Sequence, residues 1–247
     1  MALRIDIAAR THQGHLRASN QDAVLVLEAP EIPPGVQAVA AVADGMGGLP
    51  AGDVASRLAI ESLRASVDGM GDGMVAAEFL REAISNANRV VYEDSRDTPE
   101  HRGMGTTLTV AMVGHDKLTV GHVGDSRAYL LRGGDLRQLS VDHTWVQAGL
   151  DAGHITLAEA AVHPYRNMLT SALGLEPSVG IQVVEETLRT GDTVLLCSDG
   201  LHGEVPDAEI RDMLGVGTAE QTAQALEEMA LALGGSDNVT IAVVKLG

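Results

Sequence analysis

At 247 residues the chain fits one large domain or two small ones, with ample length for a buried core. Its formal net charge of −17 disfavours nucleic acid and anionic membranes as partners, and the sequence offers no basic patch to offset it. The single cysteine, Cys197, excludes an internal disulfide and a multi-cysteine metal site, and its place in an apolar run marks it as a small core residue. No run approaches the roughly 18 apolar residues of a membrane span, and residues 1–10 lack the apolar stretch of a signal peptide. The expectation is a soluble, cytoplasmic protein. Aromatic residues make up only 2%, so Ala, Val, Leu, Ile and Met must fill the core.

Taken in order, residues 3–9 alternate apolar with polar and predict a first strand. The turn-rich stretch 11–22, THQGHLRASNQD, carries Arg17 and Asp22 up to an apolar strand at 23–27. After a Pro-rich loop, 36–48 reads VQAVAAVADGMGG, a strand able to be buried on both faces that ends in Asp44 and three glycines. Two consecutive helices follow, one over 53–67 with Val54, Leu58 and Leu63 near one face, and one over 74–94 with Phe79, Ala83, Ala87 and Val90. They are expected to pack side by side on one sheet.

From Gly105 the chain becomes short β segments joined by tight turns, which predicts antiparallel neighbours in a β-meander with Asp125 at one turn. Residues 146–167 have weak periodicity and predict an insertion of two short helical turns. A half-buried strand over 181–188 precedes a buried one over 193–198 that ends in Ser198, Asp199 and Gly200. Helices are expected near Asp207 to Leu214 and Ala219 to Leu233, the second opened by a Thr218 and Gln221 capping box. A last strand, 239–245, is preceded by Asp237 and Asn238. The sum is an α+β fold in four layers, α/β/β/α, with two central antiparallel sheets flanked by helix pairs. No linker or repeat divides the chain, so a single domain spanning 1–247 is the simplest organisation.

Asp44, Asp199 and Asp237 thus all stand at strand ends, where a shared sheet system would bring them to one edge. Two carboxylates about 4 Å apart repel by roughly 4 kcal/mol at an effective dielectric of 20, so convergence calls for cations or shared protons. An all-oxygen set favours hard ions such as Mg²⁺ or Mn²⁺, and the glycine after the first two aspartates leaves room for a backbone carbonyl ligand. Each Asp-Gly taken alone is equally well a turn cap. The three together favour a two-metal acidic site.

The motifs RASNQDA, VADGMGG, GTTLTV, VGDSRAYL, LSVDHT, CSDGL and GGSDNVTIAVV, in that order along nearly the whole chain, resemble those of the metal-dependent protein Ser/Thr phosphatases of the PP2C (PPM) family in its bacterial form. The resemblance implies two to three Mn²⁺ or Mg²⁺ ions per chain and hydrolysis of phosphoserine and phosphothreonine by a metal-activated water, without a phosphoenzyme. It implies that Asp44 bridges two metals, with the Gly45 carbonyl on one and Asp199 and Asp237 on the other. Asp22 would support the metal-bound waters, Asp125 would join Asp199 at a third metal, and Arg17 would grip the substrate phosphate. Residues 146–167 would be the flap beside the substrate groove. Substrates would be phosphoproteins, including a bacterial Ser/Thr kinase, met by a monomer that binds neither nucleic acid nor membrane.

Two departures stand out. Met46 occupies the place of a histidine that protonates the leaving group in many eukaryotic relatives, which leaves a metal-bound water, another residue such as His143 or His163, or no acid at all when the leaving group is good, with water favoured. Gln21 stands where those relatives have a glutamate ligand. The alternative function is a non-catalytic module that binds phosphoproteins, whose mark would be the loss of metal aspartates.

Overall fold

The computed structural model describes residues 4–46, 51–71 and 73–247. Gly47, Gly48 and Pro50 of the expected glycine-rich turn lie outside the described residues. The chain begins with β1 (Ile5–His12), β2 (Asp22–Glu28) and β3 (Val36–Met46), then the helices α1 (Ala51–Asp68) and α2 (Ala76–Asp97). Next come β4 (Gly105–Thr106), β5 (Leu108–Gly114), β6 (Lys117–Val123), β7 (Arg127–Arg132) and β8 (Asp135–Gln138). The short helices α3 (Trp145–Asp151) and α4 (Leu157–Ala161) occupy the insertion. The remainder is β9 (Gln182–Thr187), β10 (Thr193–Cys197), α5 (Asp199–His202), α6 (Asp207–Leu214), α7 (Ala219–Leu233) and β11 (Val239–Leu246).

The strands form two antiparallel sheets, ordered β1-β11-β10-β7-β8 and β2-β3-β5-β6-β9, with β4 paired to the end of β3. Strand β3 explains the stacking. Its even positions Ala38, Ala40 and Val42 share a core cluster with Leu130, Leu196 and Val244 of the other sheet, while Val39, Ala41 and Ala43 belong to the cluster on the opposite face, against α1. A pleated strand sends successive side chains to opposite faces, so an unbroken apolar run is what burial on both sides requires. Small residues on β3 and the Ala55, Ala59 and Leu63 row of α1 let these layers approach without aromatic side chains. On the far side Ile210 and Leu214 of α6 and Ala223, Leu226 and Ala230 of α7 close the fourth layer. The α7 capping box forms as expected, with Thr218 and Gln221 each accepting from the other's backbone N–H.

The structure departs from the sequence reading at several points. The buried face of α1 runs through Ala55 and Ala59, with Val54 and Leu58 only half-buried, and on α2 Val91 is buried in place of Val90. Strand β1 starts at Ile5 and runs on to His12, held in register with β11 along its whole length. The β-meander is the largest correction. Strands β5 and β6 pair in one sheet and β7 and β8 in the other, so β6 and β7 are not neighbours. Residues 124–126 cross between the sheets instead of turning a hairpin. Gly124 makes this crossing at φ +109°, and a Cβ there would stand 2.5 Å from the Thr107 methyl. Only glycine fits such a position. The crossing delivers Asp125 to the edge where the two sheets meet.

Beneath that crossing lies a buried imidazole. His122 is fully buried, its Nδ1 paired with Thr109 Oγ1 at 2.8 Å and its Nε2 with the Val141 carbonyl at 3.2 Å. Burial, with the neighbouring His143 ring, pushes its pKa down to about 4. A folded chain that refuses a proton the unfolded chain accepts near pH 6.5 loses stability as pH falls from about 6.5 to about 4. This amounts to about 3 kcal/mol. Urea unfolding at neutral and acid pH should show His122→Gln losing less stability on acidification than the wild type. An equal loss in both would mean that His122 charges in the folded state.

Candidate active site

The predicted site residues arrive from separate parts of the chain, at strand ends, in the sheet crossing and on the loop between β1 and β2. Asp22 opens β2 and sits directly across the antiparallel pair from Asp44 near the end of β3. The backbone of Asp44 is fixed from both sides. Its N–H donates to Thr107 Oγ1 at 2.9 Å, and its carbonyl accepts from Thr107 N–H and Thr106 Oγ1, both at 2.9 Å. Thr107 is held in turn by Ser126 of the sheet crossing, at 2.7 Å. Asp199 is the first residue of α5, a helical turn that the sequence reading missed because Asp-Gly there reads as a plain turn. Asp237 lies just before β11, and Asp125 sits in the crossing with its carbonyl accepting from His202 Nε2 at 3.0 Å.

Arg17, Asp44, Gly45, Asp125, Asp199 and Asp237 line one cleft of about 250 Å³, with Gln21 and Met46 at its wall. Asp22 lies half-buried behind, its Oδ2 accepting from Ser198 Oγ at 2.8 Å. The Arg17 guanidinium donates to Asp237 Oδ2 at 2.5 Å. Four carboxylates and one cation thus line the cleft, and the local balance is strongly negative. Burial pushes Asp22 and Asp125 up to about 7, and the neighbouring aspartates add to both shifts. Asp44 is driven well above the usual carboxylate range by the same burial, then by Asp22, Asp199, Asp125 and Asp237. Asp199 is raised by burial and by Asp237.

Among the described residues no three of these side chains close around a single point as a finished cage. Asp237 turns to Arg17 instead, and Asp22 to Ser198. Two buried oxygens, Asp22 Oδ1 and Asp199 Oδ1, nevertheless have no hydrogen-bond partner. Buried carboxylate oxygens seldom go unsatisfied, and an all-oxygen set with spare acceptors fits a hard divalent cation.

Both Asp-Gly pairs have a steric cause. A Cβ on Gly45 would stand 2.0 Å from the Gly52 carbonyl oxygen, and one on Gly200 would stand 2.0 Å from that of Asn238. These glycines let backbones meet at the base of the cleft. Asn238, noted in the sequence only as a neighbour of Asp237, ties the site together. Its Oδ1 accepts from Gln21 N–H at 2.8 Å, and its Nδ2 donates to the Gln13 and Ser19 carbonyls at 2.7 and 3.0 Å. The loop carrying Arg17 is thereby fastened to the turn carrying Asp237. A polar amide buried at the start of an apolar strand was the signal for this role.

Neither histidine weighed as a proton donor reaches the cleft. His143 Nδ1 accepts from Gly124 N–H at 3.2 Å, and the His163 ring stacks on Trp145 at 4.6 Å between centroids. Cys197 is fully buried in β10, and burial raises its thiol to about 12, so it offers no nucleophile.

A family model described as protein phosphatase 2C matches residues 11–239. The chain belongs to the protein phosphatase 2C family. It is 39% identical over 246 residues to the serine/threonine protein phosphatase PstP of Mycobacterium tuberculosis, covering 98% of this chain and 45% of that protein. It is 37% identical over 240 residues to the serine/threonine phosphatase stp of Listeria welshimeri, covering 96% of this chain and 94% of the relative. The chain therefore spans under half of the first relative and nearly all of the second. A crystal structure of the PstP catalytic domain in complex with two manganese ions superposes with a TM-score of 0.85 at 37% identity, covering 99% of both chains. Divalent-metal dependence goes with this family, and the unpartnered oxygens of Asp22 and Asp199 suit it. Among the described residues no helix of this family member is long and apolar enough to cross a membrane.

Proposed function

We propose that this member of the protein phosphatase 2C family is a protein serine/threonine phosphatase that opposes a bacterial Ser/Thr kinase. The observation that carries the proposal is the cleft in which Asp44, Asp125, Asp199 and Asp237 meet Arg17. When bound, two or three Mn²⁺ or Mg²⁺ ions would supply a water of lowered pKa and neutralise phosphoryl charge. Asp44, the Gly45 carbonyl, Asp199 and Asp237 would hold two of them, Asp125 with Asp199 the third, and Asp22 would accept from the waters. Arg17 would turn from Asp237 to the phosphoryl oxygens, where a planar guanidinium binds two of them at once. With Met46 at the wall and both histidines outside the cleft, the leaving oxygen takes its proton from water.

The proposal extends to residues 1–247 acting as one catalytic unit with its flap at about 146–167, supported by the pairing of the first strand with the last. A cytoplasmic monomer acting on phosphoproteins completes it. Phosphate release should be measured with Mn²⁺ on a phosphothreonine peptide and its phosphotyrosine counterpart, and strand cleavage on single-stranded DNA. Turnover of the first with little of the others is expected. Cleavage of DNA, or no turnover by well-folded protein, would overturn the assignment.

A further inference from the structure

The metal cleft opens into a second and larger space. A groove of about 800 Å³ shares Asp125, Asn167, Asp199 and Asp237 with the cleft and runs on between α3, α4 and the body of the fold. Its two walls differ in chemistry. Val146, Leu150 and Leu157 form an aliphatic wall on the insertion, and Leu157 is 78% exposed. The opposite wall is acidic. Of its carboxylates, Asp142 is taken up by a bidentate pair with Arg127 at 2.7 to 3.0 Å, and three aspartates belong to the cleft.

Glu204 remains. Its Oε1 accepts from Ser236 N–H at 3.3 Å and from Ser236 Oγ, and among the described residues no cationic side chain pairs with its carboxylate. Ser236 immediately precedes Asp237, so Glu204 is held in a fixed pose one residue beyond the cleft. The groove cation without a carboxylate partner among the described residues, Arg166, adjoins Asn167 at the cleft end, where a substrate phosphate brings its own negative charge.

Resting on the phosphatase reading, we propose that this groove selects substrates by the chain flanking the phosphorylated residue, taking a lysine or arginine at Glu204 and an aliphatic side chain against Val146, Leu150 and Leu157. An extended peptide alternates its side chains, so one segment can offer both groups to facing walls. A carboxylate already oriented by Ser236 loses little freedom on pairing, and the net charge of −17 draws cationic segments toward the groove.

The test is a series of phosphothreonine peptides that carry arginine or glutamate at each flanking position in turn, assayed for kcat/KM with Mn²⁺. The wild type should prefer arginine about fivefold to tenfold at one or two positions, and Glu204→Gln should bring that ratio to within about twofold. Because the readout is a ratio within one protein, loss of folded material cancels. Leu157→Ser should separately remove a leucine-over-serine preference at a flanking position. A wild type indifferent to charge, or a preference that survives in Glu204→Gln, would overturn the proposal while leaving the phosphatase intact. Failure of the wild type to hydrolyse even p-nitrophenyl phosphate would overturn the phosphatase reading, and this inference with it.

Discussion

Asp44→Asn is expected to lower kcat/KM on a phosphothreonine peptide by at least ~10³-fold, about 4 kcal/mol, while making the metal-free protein more stable. Both effects have one origin. Asp44 is half-buried among Asp22, Asp125, Asp199 and Asp237, and its carboxyl is held well above the usual range by desolvation and by those charges. Without cations the wild type must bear the repulsion or hold protons there, and asparagine removes one of the charges at nearly constant shape. With cations the same carboxylate becomes an asset that asparagine cannot replace. Thermal unfolding with and without Mn²⁺ separates the two. The variant should melt higher than wild type in EDTA and gain less on adding Mn²⁺. A variant that melts lower in EDTA and gains as much from Mn²⁺ would show that Asp44 is a packing residue.

Gly200→Ala should destabilise the fold by about 3 kcal/mol and reduce activity with it. The added methyl would stand 2.0 Å from the Asn238 carbonyl oxygen, which is backbone and cannot swing aside. Relief requires moving the first turn of α5 away from the residues before β11, which separates Asp199 from Asp237. Gly215→Ala is the control. Its φ is −73° and its new methyl would meet only ordinary contacts at 3.6 and 3.8 Å, so it should be neutral or slightly stabilising. Urea denaturation of the two variants decides the point. Equal stability would mean that the glycine after Asp199 serves the turn and not the close approach.

Much of this architecture was legible in the sequence because burial leaves a direct trace. The apolar runs of β3, β10 and β11 are continuous where both faces are covered, and the α6 and α7 boundaries follow from their apolar spacing and from Thr218 and Gln221. The aspartates at the ends of those runs were visible for the same reason. The sheet crossing at 124–126 was not, since a three-residue link between strands reads as a hairpin and only the positive φ of Gly124 gives it away. The clamp made by Asn238, the lock of Thr107 and Ser126 on Asp44, and the pairing of Glu204 with Ser236 depend on residues far apart in the chain. No local pattern encodes such pairs. The roles of Asp125 and Arg17 rested on family resemblance, and the structure supplies the geometry that brings both into the same cleft.

In the proposed phosphatase this acidic cleft works by holding divalent cations. Titrating Mn²⁺ into metal-free protein while following bound metal and phosphate release from a phosphothreonine peptide tests it most directly. At least two ions should bind per chain, with turnover rising as the second site fills and abolished by EDTA. Turnover that persists in EDTA, or metal that binds with no effect on turnover, would contradict it.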